Sequence, residues 1–381
     1  MTELYKLTVK KYIENLIMPS DPLYPMWNRE NFIFRKQIKW NYIDACLIKS
    51  LLMLENPETQ KYAVKFMNAY TDSDGNIPTF RKSDFNLDNV NGGKNLIFLY
   101  GKTNEERYRK GFEYIYKCLS EQPRLKCGNF WHKAIYPNQI WLDGVYMSLP
   151  FMAEYAVIKQ DENIILDIQR QLENICLLMR DDKTGLYYHG YDETKSIFWA
   201  DRKTGCSKNF WLRSMGWLCA GLADISEIIP EMKISREMLS DLLISLSEHI
   251  TSENMLLQLP VLHELKGNYP ETSGSLLFAY SAIKSHEIGI SDKKIMEKGS
   301  DVFRTVTEKY IINEENIPIM KNICLMGGLG GNPPRDGSAE YYLSEKVVIN
   351  DAKGIAPYIM TYAEMKKYEK LRKIKEKQEK L

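Results

Sequence analysis

No stretch of this chain approaches the roughly 20 consecutive apolar residues needed to span a bilayer. The first residues, MTELYKLTVKKYIENLIMPS, are amphipathic and lack a continuous apolar core, which argues against a secretory signal. Seven cysteines, at 46, 118, 127, 176, 206, 219 and 324, are odd in number, scattered and without a Cys-x-x-Cys pair. That pattern points away from a disulfide framework or a zinc site and toward reduced thiols, so the expected location is the cytoplasm, with neither metal nor cofactor. An excess of one charge is missing too. Lys+Arg number 51 and Asp+Glu 50, a formal net charge of +1, which leaves no field to draw nucleic acid or an anionic membrane. Convincing alternating strands are few; LYYHGY at 186–191 and the stretch around 255–262 are the candidates for short β-hairpins.

Helical periodicity, by contrast, runs from end to end. Tyr108, Phe112, Ile115, Tyr116 and Leu119 share one face, and so do Leu239, Leu242, Leu243, Leu246 and Ile250. About twelve helical segments alternate in character. Segments near 3–17, 58–70, 104–121, 162–180, 235–250 and 292–310 are amphipathic. Those beginning near 40, 86, 140, 210, 271 and 351 are apolar on most faces and rich in small residues, which marks buried helices. The alternation repeats as helical hairpins too diverged for a simple period. Six buried helices ringed by six surface helices predict an all-α (α/α)6 barrel with short β-hairpins in its mouth loops; an irregular helical bundle is the alternative. The barrel is expected to take residues 1–370, and 371–381 a charged helical tail. Long loops at 71–85, 122–139, 181–209 and 311–350 all precede buried helices, so they should gather at one end.

The starts of the buried helices carry polar and aromatic groups: Trp40 and Asp44, Asp88, Trp141 and Asp143, Trp211 and Arg213, Glu271, Asp351. Helix capping accounts for acids there, and for Glu271 and Asp351 that reading is as good as any other. Capping accounts for neither Arg213, which opposes the helix dipole, nor the tryptophans. Five of the seven, at 40, 141, 199, 211 and 217, lie at these starts or in the loops before them. An aromatic cup with several acids suits a sugar, with flat faces for C–H surfaces and polar groups for hydroxyls. His132, Lys133 and His189 fall in the loops around the same mouth, although a lone histidine is more often structural than functional. With Arg213 they would suit a ligand bearing a carboxylate.

The segments QIWLDGVYMSLPFMAEYA, SKNFWLRSMGW, TSGSLLFAYSAIK and GGLGGNPPRDGSAEYYLSEKVVINDAKGIAPYI closely resemble the unsaturated rhamnogalacturonyl hydrolases, glycoside hydrolase family 105, over about residues 36 to 366. The resemblance implies the (α/α)6 fold and a hydrolase that hydrates the 4,5 double bond of a terminal unsaturated uronic acid. Rival activities are an unsaturated glucuronyl hydrolase and a conventional inverting glycosidase using two carboxylates. The resemblance carries the general acid/base onto Asp143 and the second site acid onto Asp88. It carries substrate contacts onto Trp211 and Arg213, and onto His132, Lys133 and His189. Trp40, Asp44, Trp141, Trp217 and Arg335 complete the expected substrate-binding set. Pro334 stands where many relatives are expected to have an aromatic. Burial beside Trp141 and Tyr146, with Asp88 as a like charge, is expected to keep Asp143 protonated. The expected partner is an unsaturated oligosaccharide, with no nucleic acid or membrane; oligomeric state is not legible.

Overall fold

Helices with one wet face alternate along the chain with helices that have almost none. The computed structural model describes residues 2–35 and 39–378. Its helices are α1 (Glu3–Tyr12), α2 (Arg29–Phe34), α3 (Tyr42–Met53), α4 (Pro57–Tyr70), α5 (Leu87–Val90), α6 (Gly93–Thr103), α7 (Glu106–Ser120), α8 (Asp143–Lys159), α9 (Glu162–Met179), α10 (Leu212–Ile228), α11 (Lys233–Ser247), α12 (Thr272–Glu287), α13 (Lys293–Thr305), α14 (Ala339–Ser344) and α15 (Ala352–Gln378). Three antiparallel pairs join short strands: β1 (Gln139–Trp141) with β2 (Gly190–Asp192), β3 (Ile311–Glu314) with β4 (Ile317–Met320), and β5 (Ile323–Cys324) with β6 (Val347–Val348).

The inner helices touch in sequence order: α3, the α5–α6 pair, α8, α10, α12 and α15, which closes on α3. Outside them, α4 backs α3, α7 backs α6, α9 backs α8, α11 backs α10, α13 backs α12, and α1 backs α15. This is the (α/α)6 barrel the alternation predicted. Packing follows from composition. On α10 every residue from Leu212 to Ser226 is buried, whereas α7 buries only the stripe of Tyr108, Gly111, Phe112, Ile115, Cys118 and Leu119. Small residues let inner helices approach: a Cβ on Gly274 would lie 2.5 Å from Leu212 Cγ.

Pro150 sits inside α8, and proline in a helix interior ordinarily kinks or breaks it. The helix runs on to Lys159. Proline has no N–H for the carbonyl four residues back, that of Tyr146, but Lys94 Nζ donates to it at 3.1 Å and lies 3.7 Å over the Tyr146 ring. The lysine fills the place of the missing backbone donor.

The mouth loops depart from the expected hairpins in detail. Residues 190–192 pair with 139–141 instead of folding locally, and 255–262 contributes a single bridge, Leu257 to Pro270. A tight hairpin forms instead between β3 and β4, with Glu315 (φ 48°) and Asn316 (φ 68°) both left-handed in the turn. Such turns favour Asn-Gly or Asp-Gly, and the Glu-Asn pair hid this one. The last inner helix continues through the expected tail to Gln378; the tail's residues 379–381 lie outside the described residues.

Candidate active site

Two loops deliver the central pair. Strand β1 runs straight into α8, so Asp143 is the first residue of that helix. Trp141 pairs with Gly190, and Leu142 N donates to His189 O at 3.1 Å, which sets His189 beside Asp143. His189 Nε2 and Asp143 Oδ2 approach to 3.2 Å without hydrogen-bond geometry, and among the described residues neither atom has a hydrogen-bond partner. On the other side of the imidazole, Nδ1 lies 2.7 Å from the Tyr342 hydroxyl.

A second acid stands nearby under different control. Asp88 opens α5, whose start is capped by Asn86. The loop between α7 and β1 is pinned at both sides: Leu87 N donates to His132 O and His132 N to Gln139 O. That places Lys133 Nζ 2.5 Å from Asp88 Oδ2, and His132 Nε2 3.7 Å from Oδ1. Aromatic rings connect the two acids. His132 stacks on Trp141 at 4.5 Å, Trp141 meets His189 edge-on at 5.4 Å, and His189 lies 4.8 Å from Trp211.

Electrostatics correct two sequence expectations and agree with a third. Burial does push the Asp143 carboxyl upward, but the His189 contact and the field of Arg213 pull the other way, and its pKa falls below the ordinary carboxylate value. The free protein therefore holds Asp143 ionised. His132 is not a cation: burial lowers its pKa to about 4. Lys133 stays charged, because the Asp88 carboxylate beside it outweighs burial and raises its pKa.

Arg213 was expected to clamp a substrate carboxylate. It is buried, 1% exposed, and donates to Cys324 O and to Ser273 Oγ at 3.3 Å, with Glu271 Oε1 at 3.9 Å and the Trp211 ring 4.6 Å beneath its guanidinium. The acid that offsets it, Glu271, caps α12, accepting from Gly274 N at 2.6 Å. Arg213 thus supports Trp211 and bears on Asp143 through its field.

Three more expected substrate contacts are engaged inside the fold. Asp44 is 2% exposed and accepts from Trp27 Nε1, Asn28 and Asn41, tying residues 27 and 28 to α3. Burial lifts its pKa to about 6. Trp40 donates Nε1–H to Asn89 O at 2.7 Å and packs against Gly92, where any side chain would collide with the indole. Trp217 is 1% exposed and leans on Tyr146 at 4.7 Å; it packs below the first turn of α10. Arg335, in contrast, is half-buried beside Gly328, across which lies Trp141, and among the described residues it has no carboxylate partner.

Two tyrosines at the site went unread in the sequence. Tyr342 was legible only as part of the AEYY block. Tyr42 follows Trp40 in the first turn of α3; burial and then the charges of Glu30, Asp88, Arg213 and Asp143 act on its phenol, which puts it among the acids. Its position two residues before Asp44, on a helix start already rich in site-type residues, was the available signal.

Comparison with known proteins shows the family. Residues 24–369 match the profile of glycosyl hydrolase family 88. A glycoside hydrolase from family 105 of C. acetobutylicum ATCC 824 superposes with a TM-score of 0.88 at 30% identity, covering 96% of this chain and all of that one. Protein Atu3128 of Agrobacterium fabrum is 34% identical over 228 residues, 57% of this chain and 97% of that protein. The unsaturated rhamnogalacturonyl hydrolase YesR of Bacillus subtilis is 26% identical over 149 residues, 38% of this chain and 41% of YesR. The chain belongs to glycosyl hydrolase family 88 and, with its full-length structural relative, to glycoside hydrolase family 105.

Proposed function

We propose that this glycoside hydrolase acts in the cytoplasm on pectin-derived rhamnogalacturonan oligosaccharides, removing a terminal 4,5-unsaturated uronic acid by hydration of its enol ether. The observation that carries the reading is the inequality of the two acids. Asp88 is clamped by Lys133 at 2.5 Å, an ion pair that engages one of its oxygens and leaves the group an acceptor for sugar hydroxyls. Asp143 has no such cation in contact, only the His189 ring. Anomeric hydrolysis with inversion needs two carboxylates able to exchange protons; hydration needs one. The partial match to YesR supports the rhamnogalacturonan substrate.

In this reading Asp143 gives a proton to C4 as the C4=C5 bond breaks. It then takes a proton from the water whose oxygen bonds to C5. The hemiketal at C5 opens, leaving a hemiacetal at C1 that collapses and releases the neighbouring sugar. One water is consumed, and Asp143 ends protonated as it began. The ionised carboxylate of the free protein must first take up a proton. The substrate's own carboxylate, brought close in a site emptied of water, raises the Asp143 pKa in the complex. Lys133 and Arg335 are the cations available to hold the uronate carboxylate. The test is to incubate the protein with unsaturated disaccharides from several polysaccharide lyases. Loss of the double bond's ultraviolet absorbance supports hydration; new reducing ends with that absorbance intact would refute it.

A further inference from the structure

We propose that Tyr342 is a positioning residue for Asp143: its phenol O–H donates to His189 Nδ1 and fixes the imidazole with its hydrogen on Nε2, the ring nitrogen 3.2 Å from Asp143 Oδ2. The proposal rests on Asp143 being the acid/base. Its structural basis is a hydrogen count. Tyr342 is fully buried on α14, a helix that Ser338 caps, with its ring stacked 6.0 Å from Trp211. Among the described residues its hydroxyl has one partner, His189 Nδ1 at 2.7 Å.

Suppose instead that Nδ1 carried a hydrogen. It would donate to the phenol oxygen, and the phenol's own hydrogen would be buried without an acceptor, which costs stability. In the neutral ring, Nε2 would then turn a lone pair on the Asp143 carboxylate 3.2 Å away. A doubly protonated ring leaves the same phenol hydrogen stranded. A donating phenol leaves neither its own hydrogen nor His189 Nδ1 unpaired. Burial holds the Tyr342 pKa well above its ordinary value, so the donor keeps its proton. An Nε2–H, rather than a lone pair, beside Asp143 favours the carboxylate, the form that exists just after C4 has been protonated and that must then accept a proton from water.

The experiment is nitrogen NMR on the full chain with isotope-labelled histidine, His189 being assigned by its loss in His189→Gln. The expected spectrum near neutral pH shows His189 protonated at Nε2 and bare at Nδ1. Hydrogen on Nδ1 in the wild type would overturn the proposal, with no need for any variant to fold or any substrate to turn over. In Tyr342→Phe, which keeps the ring stacking, the single tautomer gives way to a mixture. The kcat of that variant falls roughly tenfold, about one hydrogen bond's contribution, with KM little changed, and the Asp143 limb of the kcat/KM profile moves to higher pH. An unchanged tautomer and pH profile in that variant also overturns the proposal. Lack of turnover on every unsaturated disaccharide, with the wild-type tautomer as expected, would instead refute the proposed function.

Discussion

The two ends of the barrel bury charge in opposite ways. At the C-terminal ends of the inner helices, charge is settled by pairing. Asp224 on α10 accepts from Tyr280 at 2.5 Å and Lys284 at 2.7 Å, and Lys284 also meets Glu227 at 2.6 Å. Lys367 on α15 joins Glu227 and Glu287 at 2.7 and 2.8 Å. Where a carboxyl there meets its cation only loosely, burial wins: Glu364 Oε2 lies 3.9 Å from Lys367 Nζ, has no hydrogen bond among the described residues, and burial raises its pKa to about 7. At the mouth, Asp143 Oδ2, His189 Nε2, His132 Nδ1 and the indole nitrogens of Trp199 and Trp211 are buried without hydrogen-bond partners. Buried polar groups normally find partners, so a concentration of unpartnered ones at helix starts marks where a ligand completes the structure. A buried ionisable cluster alone marks nothing, because the far end has the larger one.

The strongest way to break this comparison is Asp143→Asn. Turnover of an unsaturated disaccharide should fall about a thousandfold, while Tm and substrate affinity change little. Near-normal turnover removes Asp143 from the chemistry. The corresponding change at the far end, Lys284→Met, should do the reverse. It strands Asp224 as a buried, uncompensated carboxylate, which costs about 3–5 kcal/mol of stability, and the folded fraction keeps its kcat. A fall in kcat without a fall in Tm would mean the two ends are not separable.

How far the sequence reached follows the same divide. The alternation of amphipathic and wholly apolar helices is a local pattern, so the six hairpins and the closed ring were legible. The gathering of Asp88, His132, Lys133, Asp143 and His189 was legible as well, because inner helices run parallel and their starts meet. The partners of each group were not. Arg213 and Glu271 are far apart in sequence, and only packing shows that the arginine is occupied. Asp44 reads like Asp143 in one dimension; Trp27 and Asn28, from a segment with no motif, make it structural. The ionisation of Asp143 depended on His189, a contact made by pairing β1 with β2 rather than by any helix.

Two pH measurements separate the ends further. If protonated Asp143 is the reactive form, kcat/KM, which reports the free protein with its lowered pKa, should decline with rising pH before kcat does, since kcat reports the complex. Coincident declines would deny that substrate raises the pKa. For stability the far end dominates. The folded-state pKa of Glu364 is raised from 4.5 to about 7, so its stabilising contribution is complete below pH 4.5 and is lost as pH rises through about 7. Wild type should lose a few degrees of Tm across that window relative to Glu364→Gln; parallel Tm curves would show that Glu364 does not titrate there.

The smallest effect lies between the ends, on the helix that begins with Asp143. Lys94 is buried, its pKa lowered to about 8 by burial, and the charge of Asp224 pulls the other way. Its amino group stands in for the N–H that Pro150 lacks. Lys94→Met should therefore cost about 1–3 kcal/mol, the penalty of a buried carbonyl left unpaired. In a Pro150→Ala background the new backbone N–H can reach Tyr146 O, so the same lysine substitution should cost about 1 kcal/mol less. Equal costs in the two backgrounds would mean the lysine serves Asp224 and the Tyr146 ring, and not the proline gap. In neither background should kcat move beyond about twofold, because a single uncompensated defect in mid-helix is expected to lower stability without displacing Asp143, whose position is set by the β1–β2 pairing above it.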